Sequence, residues 1–355
     1  MRLNRPSIAT ALVGAGACLV TVPVVAHHSS APHFDRDNSI TVEGVVTQLQ
    51  FVNPHAYVYF DVTTEDGSVQ DWRCELSAAT MLERRGWTRD SIQPGQQIEI
   101  TGAPARREDH VCFLNNFRLD GGPEYARNSE LEDGVVSTGL ADVSSLARSA
   151  YLDNGRPNLT GPWVTLSFGM GMSRGFRDEY IPTDAGVAAR EGYEMAFDDP
   201  ILNCHVYNVL NGWNHDRHVN DIYQSEDVVT LQYGFMDFVR TIHLGMTEHP
   251  DGIAPSTAGH SIGRWEDDTL VVDTIGFEQT ILNHFDGTSW SEQAHLVERF
   301  HVDPDEQVLV RNYTLTDPLF LAEPVDGQDF QALSAVPYEP YGCVELSGDN
   351  NIRPE

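Results

Sequence analysis

Alternating hydrophobic and polar residues predict a group of β-strands in the first part of the chain. Between residues 38 and 120, runs of β-forming residues alternate with turn residues, and one run of helix formers begins after the cap residue Ser77 and ends at Gly86. The predicted strands have the sequences SITVEGVVTQLQF, HAYVYFDV, VQDWRCEL, QPGQQIEITGAPA and VCFLNNFRL. Three strands, a helix and two strands are the element order of a small OB-like barrel. We therefore predict a five-stranded barrel with one helix over residues 27–122.

The second half of the chain has a longer series of strand patterns and one helix pattern. The run TDAGVAAREGYEMA predicts a helix capped by Thr183. Further strand patterns follow, and the turns between them are acidic or contain glycine. Their sequences are HVNDIYQ, VVTLQYGF, FVRTIHLG, HSIGRWE, TLVVDTIGF, AHLVERFHV and QVLVRNYTL. This series predicts about eight antiparallel strands that close into a larger, lipocalin-like β-barrel over residues 158–345.

Two segments outside these patterns lack sustained periodicity. Residues 123–157 are rich in Gly, Ser, Asp, Glu and Asn, which predicts a linker between the two barrels. Residues 346–355 are assigned as a tail. The chain is therefore expected to be a mainly β protein of two domains.

The first 26 residues have the layout of an export signal. Arg2 and Arg5 precede an apolar run, and Val24 and Ala26 occupy the small-residue positions that signal peptidase reads. The apolar run is short and interrupted by Gly and Pro, which argues against a membrane anchor. Cleavage at Cys18 to give a lipid-anchored form is a less favoured alternative. We expect a periplasmic or secreted protein that is cleaved after Ala26.

Composition narrows the range of partners. The chain has 53 acidic and 22 basic residues, a net charge of −31, and no lysine. The lack of lysine excludes Schiff-base and P-loop lysines. The negative charge opposes binding to nucleic acid and to anionic membranes. We expect neither nucleic-acid binding nor membrane insertion, whereas a small-molecule ligand and the oligomeric state are left open.

The cysteines suit an oxidising compartment. Cys18 would leave with the signal, and one pair of the remaining four lies in each half of the chain. We predict the disulfides Cys74–Cys112 and Cys204–Cys343, although other pairings also fit the sequence. No CxxC motif is present, which argues against a zinc ribbon.

Cleavage after Ala26 would leave a histidine as the first residue. His27 would then offer its α-amine and its imidazole to one metal ion, and an α-amine loses its proton far more readily than a lysine amine. His55, which follows Asn-Pro at a strand start, would supply the third nitrogen of a T-shaped set that suits copper, the arrangement called a histidine brace. Zinc is the alternative metal, and the reserve ligands are His28, His33 and His110. The competing interpretation is a disordered tail and a surface histidine.

Motifs in both halves resemble uncharacterised families. AHHS, TVEGVVTQLQFVNPHAYVYFDV and LERRGWTRDSIQPGQQIEITG resemble a family of secreted bacterial proteins whose mature domain begins His-His-Ser. The second half resembles another such family through EHPDGIAPSTAGHSIGRWEDDTLVVDTIGF, in which Asp267 replaces an expected glycine of a hairpin turn. The resemblance implies a fusion of the two families and supplies no reaction.

Polar residues share strand faces in the second barrel. Period-two alternation places His260 and Arg264 on one face of HSIGRWE, and His295 and Arg299 on one face of HLVERF, with His243 on a neighbouring strand. If these faces line the barrel, they form a pocket for a carboxylate or another oxyanion. If they point outward, they face water and pair with acidic neighbours. For the pocket, His260 and His295 are the candidate acid–base residues, Arg264 and Arg299 the candidate anion stabilisers, and His243 a ligand-pocket residue.

Two functional hypotheses follow from these features. The first is a metal-binding protein, with copper at His27 and His55 and a second barrel that holds a ligand or docks a partner. Met170 and Met172 could add soft copper ligands, although a loop without a metal role is favoured. The alternative is an enzyme acting on a small anionic or carbonyl substrate in the second barrel. A binding module without chemistry is the third class.

Overall fold

The computed structural model describes residues 33–83, 85–127, 129, 149–165, 180–215, 218–303 and 308–345. The predicted export signal, His27, His28, Met170, Met172 and the predicted tail lie outside these ranges. The protein is mainly β, with a five-stranded barrel and one helix followed by a larger barrel, so the predicted fold class is confirmed. No helix among the described residues is long and apolar enough to cross a membrane.

Five strands and one helix form the first barrel. The elements are β1 (Ile40–Gln50), β2 (Tyr57–Thr63), β3 (Val69–Glu75), α1 (Ala79–Glu83), β4 (Gln97–Pro104), β5 (Val111–Leu119) and β6 (Glu124–Ala126). Antiparallel pairs join the strands in the order β3-β2-β1-β4-β5, and a parallel pair between β3 and β5 closes the barrel. Strand β6 adds to the edge of β5. It lies within residues 123–157, the segment predicted to be a linker.

The interior of the first barrel is apolar. In β2, Val58 and Phe60 point inward and are buried, whereas Tyr57 and Tyr59 between them are only partly buried. Burial of one such side chain contributes about 1.5–3 kcal/mol relative to leaving it exposed. Neighbouring β3 and β5 are also joined by the disulfide Cys74–Cys112, as predicted.

Nine strands close the second barrel. The elements after β6 are β7 (Gly161–Thr165), α2 (Asp184–Ala189), α3 (Met195–Asp198), α4 (Val209–Trp213), β8 (Val219–Gln224), β9 (Val228–Gln232), β10 (Val239–His243), β11 (His260–Glu266), β12 (Thr269–Ile275), β13 (Thr280–Asn283), β14 (Thr288–Trp290), β15 (His295–Val302), β16 (Val308–Thr316) and β17 (Val325–Leu333). The barrel order is β10-β11-β12-β15-β16-β17-β7-β8-β9, and β13 and β14 form a separate hairpin.

Two details of this barrel differ from the prediction. It has nine strands instead of about eight, and β10 pairs with β11 in parallel. The parallel pair arises because residues 244–259 run back along the barrel before β11 begins, so this connection is not a hairpin. The expected purely antiparallel meander was therefore wrong at this one junction.

The single helix predicted after Thr183 is two short helices. The Thr183 hydroxyl accepts a hydrogen bond from the Gly186 N–H, which confirms the cap. Gly192, between α2 and α3, has a φ of 79°, in the left-handed region that favours glycine and ends a helix. This turn interrupts the run of helix-forming residues.

Helix α4 fills part of the second barrel. The side chain of Trp213 is fully buried and contacts Tyr233 and Phe300 edge-on. Its backbone carbonyl accepts hydrogen bonds from the side-chain amides of Asn220 on β8 and Gln331 on β17. The barrel interior is therefore packed against a helix.

The carboxyl-terminal segment of the second domain contacts the first barrel. The disulfide Cys204–Cys343, the second predicted pair, ties this segment to the turn that follows α3. The backbone N–H of Val344 donates to the carbonyl of Asn53, and the Asn53 side-chain amide donates to the carbonyl of Tyr341. The segment thus reaches the loop that carries the Asn-Pro-His sequence.

Candidate functional site

The Asn-Pro-His corner, residues 53–55, lies between β1 and β2 and is fixed at its first residue. The side chain of Asn53 is buried, and its Oδ1 accepts hydrogen bonds from the backbone N–H and the hydroxyl of Thr80 at 3.2 Å each. Its Nδ2 donates to the carbonyl of Tyr341 at 2.6 Å. Because all the polar groups of a buried amide are costly to leave unsatisfied, these contacts hold the corner in one place.

His55 contacts a buried carboxylate. Its Nδ1 lies 2.8 Å from Oε1 of Glu75, and the His55 side chain is 27% exposed whereas that of Glu75 is 6% exposed. Glu75 is the register partner of Tyr57 across β2 and β3. Burial raises the pKa of the Glu75 carboxyl, but the adjacent His55 and the charges of Arg127 and His33 lower that pKa further, below its usual value. Glu75 therefore stays ionised beside the imidazole.

The start of the described chain runs close to this corner. The carbonyl of His33 accepts a hydrogen bond from the N–H of Arg106, and Phe34 forms a bridge with Ala105 beside β4. The charge of His33 is also among the causes that lower the pKa of Glu75. Of the other reserve ligands, His110 packs on Trp72 with ring centroids 5.2 Å apart.

A complete metal site is not seen in the part of the chain that is described. Within it, no three side chains of His, Cys, Asp or Glu are arranged to hold one ion. His27, the ligand expected to contribute two nitrogens, lies outside the described residues. The predicted set of His27 and His55 therefore stays a prediction.

The histidines and arginines predicted for the second barrel lie on its outer wall. Burial alternates along β11 and β15, and the inward positions are Ser261, Gly263, Leu296, Glu298 and Phe300. The outward positions of these strands and of β10 hold His243, His260, Arg264, His295 and Arg299. Of the two placements that the sequence left open, the structure shows the outward one for these residues, because the opposite face of each strand fills the interior.

Four histidines and one aspartate form what we call the outer-wall cluster: His243, His249, His260, Asp273 and His295. The Nδ1 atoms of His249 and His260 are 2.8 Å apart, and Nε2 of His249 lies 2.9 Å from Oδ1 of Asp273. The other carboxylate oxygen of Asp273 lies 3.0 Å from Nε2 of His295. The ring of His243 stacks on that of His260, with centroids 5.3 Å apart and planes 17° apart. The structure thus joins three of the predicted residues.

The environment of the cluster sets the charge of its members. Burial, followed by the charges of His249 and His243, lowers the pKa of His260. Burial raises the pKa of Asp273, but hydrogen bonds from His249 and His295 lower it further, so that the net pKa is below the usual value. The cluster therefore favours a neutral His260 next to an ionised Asp273.

Arg264 and Arg299 belong to a separate, exposed group. Both donate to Glu266, at 3.0 and 2.9 Å, and their side chains are 61% and 47% exposed. In register, Arg264 and Arg299 flank Val271, whereas Asp273 lies one outward position further along β12. The two arginines are therefore not part of the outer-wall cluster.

A network of buried charges occupies the interior of the second barrel. Arg240 donates to Glu298 at 2.5 Å and to the hydroxyls of Ser261 and Thr274. Arg311 donates to Glu298 at 3.2 Å and also to Asp329. All four charged side chains are almost completely buried. The network links strands from β10 to β17, and the strand patterns of the sequence did not predict it.

Three residues that contact the predicted ones were not predicted: Glu75, Asp273 and His249. Asp273 carries a signal that could have found it, since it is the one charged residue of the strand pattern TLVVDTIGF, whereas Glu75 is one of three charged residues in VQDWRCEL. His249 carries little signal, because it lies in the nonperiodic segment between β10 and β11.

Part of the chain resembles a known protein family. Residues 16–112 match the model of a family of unknown function, DUF6152. This match supports the expected resemblance of the first domain to an uncharacterised family. No curated protein matches the chain.

Proposed function

We propose that the protein binds a transition-metal ion, copper in the first place, at the Asn-Pro-His corner. In this proposal the mature chain begins at His27, whose α-amine and imidazole bind the ion together with the His55 imidazole. Zinc is the alternative metal. The proposal places the protein in the periplasm or outside the cell, after cleavage following Ala26.

The observation that carries the proposal is the contact between His55 and Glu75. Metal-binding histidines commonly have one ring nitrogen held by a carboxylate, which fixes the ring and leaves the opposite nitrogen for the metal. Here Nδ1 of His55 faces the buried Glu75 carboxylate at 2.8 Å, which leaves Nε2 as the candidate ligand atom.

The position of the first described residues supports the same proposal. His27 is six residues before His33, and six extended residues span about 20 Å at most. The charge of His33 is among the causes that lower the pKa of the Glu75 carboxyl. The chain between His27 and the first described residue, His33, is therefore short. Only this segment must become ordered for His27 to bind the same ion as His55.

The test compares copper binding by three forms of the full mature chain. The first begins at His27, the second retains Ala26 before His27, and the third carries His55→Ala. We expect the retained alanine to lower copper affinity strongly, because it removes the α-amine from His27, and we expect His55→Ala to do the same. His110→Ala is the matched control, because His110 lies in the same barrel and packs on Trp72. Unchanged affinity in the chain with Ala26 would exclude the brace.

The alternative function, an enzyme acting on a small anionic or carbonyl substrate, loses the interior pocket on which it was based. His243, His260, His295, Arg264 and Arg299 all lie on the outer wall. The acid–base chemistry proposed for His260 and His295 would have to take place in the outer-wall cluster, where Asp273 contacts His295 directly and is linked to His260 through His249.

A further inference from the structure

The two central histidines of the outer-wall cluster face each other through the same ring atom. Nδ1 of His249 and Nδ1 of His260 are 2.8 Å apart. Two lone pairs at this distance repel each other, so either a proton or a metal ion must lie between the rings. Two nitrogens each about 2.0 Å from one ion lie about 2.8 Å apart at adjacent corners of a square, and about 3.3 Å apart in a tetrahedron.

We propose that His249 and His260 form a second site, which binds a divalent transition-metal ion on the outer wall of the second barrel. The site is separate from the proposed copper site in its residues and its domain. It takes two ligands from the protein, the Nδ1 atoms of His249 and His260. The remaining coordination positions are then open to water or to a small anion.

Asp273 prepares His249 for this role. Its Oδ1 accepts a hydrogen bond from Nε2 of His249 at 2.9 Å, which puts the ring proton on Nε2 and leaves the lone pair on Nδ1. The second carboxylate oxygen is held by Nε2 of His295 at 3.0 Å, so the carboxylate itself is fixed in position. A carboxylate behind an imidazole is the usual support of a metal-binding histidine.

His260 is held in place by its other neighbours. The stacked ring of His243 limits rotation of the His260 ring. His260 begins β11, whose backbone pairs with β12 along its full length. Both ligand atoms are therefore fixed before an ion arrives.

The donor set indicates the class of ion. Imidazole nitrogens favour copper, zinc and nickel, whereas magnesium and calcium prefer oxygen ligands. The net charge of −31 also raises the local concentration of cations around the protein. A site with two protein nitrogens and open positions suits an exchangeable ion more than a permanent structural one.

The experiment titrates the full mature chain with zinc chloride and, separately, with copper chloride, in a His55→Ala background that lacks the N-terminal site. We expect one remaining equivalent of bound ion. In this background, His249→Ala and His260→Ala should each lower the affinity by at least about tenfold, and Asp273→Asn by about 10- to 100-fold. His301→Ala, on the same outward face of β15 as His295, should leave the affinity unchanged.

Several outcomes would overturn the proposal. One is the absence of any bound zinc or copper in the His55→Ala chain, which would mean that a proton alone joins the two rings. Another is binding that neither His249→Ala nor His260→Ala weakens. If either variant fails to fold, the ring ¹⁵N signals of the His55→Ala chain give the answer, because an ion shifts the Nδ1 signals of both residues. If the proposed N-terminal site binds no copper, these measurements still test the second site, because all of them are made in the His55→Ala chain.

Discussion

The two barrels differ in the kind of side chain that fills the interior and in the place where their candidate chemistry lies. The first has an apolar interior, and its candidate chemistry lies at a loop, where His55 meets Glu75. The second buries four charged side chains in its interior and carries its histidine cluster on the outer wall. A polar residue on a strand therefore does not by itself indicate a pocket, because its inward or outward direction depends on what the rest of the barrel can pair with it.

The cost of burying charge explains why the second interior is so fully connected. A buried guanidinium loses its hydration, and only good pairing compensates for this loss. Arg240 and Arg311 share the two oxygens of Glu298, and Asp329 pairs with Arg311. Two positive and two negative groups thus balance within one network.

The largest effect is expected for Glu298→Gln. This change removes the charge that both buried arginines share and turns one of the two acceptor oxygens into an NH2 donor, so that at least one arginine loses its partner. We expect a loss of about 3–5 kcal/mol in the free energy of unfolding, measured by thermal and denaturant melts. The matched control is Glu266→Gln, which also removes a carboxylate between two arginines, but on the exposed wall. If both variants lose the same free energy of unfolding, the buried carboxylate of Glu298 stabilises the fold no more than the exposed carboxylate of Glu266.

A smaller effect is expected for Asn53→Ala in the first barrel. This variant leaves the carbonyl of Tyr341 and the polar groups of Thr80 without their buried partner, which should cost about 1–3 kcal/mol. It should also weaken copper binding, because the corner that positions His55 loses its anchor. The measurements are denaturant unfolding and copper titration. Asn115→Ala, at an exposed position of β5, is the control and should change neither.

Much of the fold could be predicted from the sequence because strand alternation, turn residues and cysteine positions are local signals. They gave the five-stranded barrel, the larger barrel and both disulfides. The parallel pairing of β10 with β11 could not be predicted, because it depends on the path of residues 244–259, which have no periodic pattern.

The sequence also could not show which face of each strand points into the second barrel. In β15, one face carries Leu296, Glu298 and Phe300, and the other carries His295, Val297 and Arg299. Each face mixes apolar and charged residues, so neither is an obvious core. The choice depends on Arg240 and Arg311, which come from other strands and meet Glu298 only in the folded barrel.

The smallest effect is expected for Asp66 in the β2–β3 turn, an exposed carboxylate that accepts several hydrogen bonds. Hydrogen bonds from the Thr64 hydroxyl and from the backbone and hydroxyl of Ser68 lower the pKa of Asp66 from 3.8 to about 2. A carboxyl group with a lowered folded pKa stabilises the fold above its unfolded pKa, and this contribution is lost as the pH falls through the folded pKa.

The comparison is between the wild-type chain and Asp66→Asn, which keeps an acceptor oxygen in the turn but has no charge. We expect the wild type to melt slightly higher above about pH 5 and the difference to vanish as the pH falls to about 2. Melting curves across this range and an NMR titration of the Asp66 carboxyl measure the effect. A difference that does not change with pH would mean that the turn depends on hydrogen-bond geometry alone. The charge–dipole contribution is small because water screens this turn, and it is large for Glu298 because the second barrel excludes water.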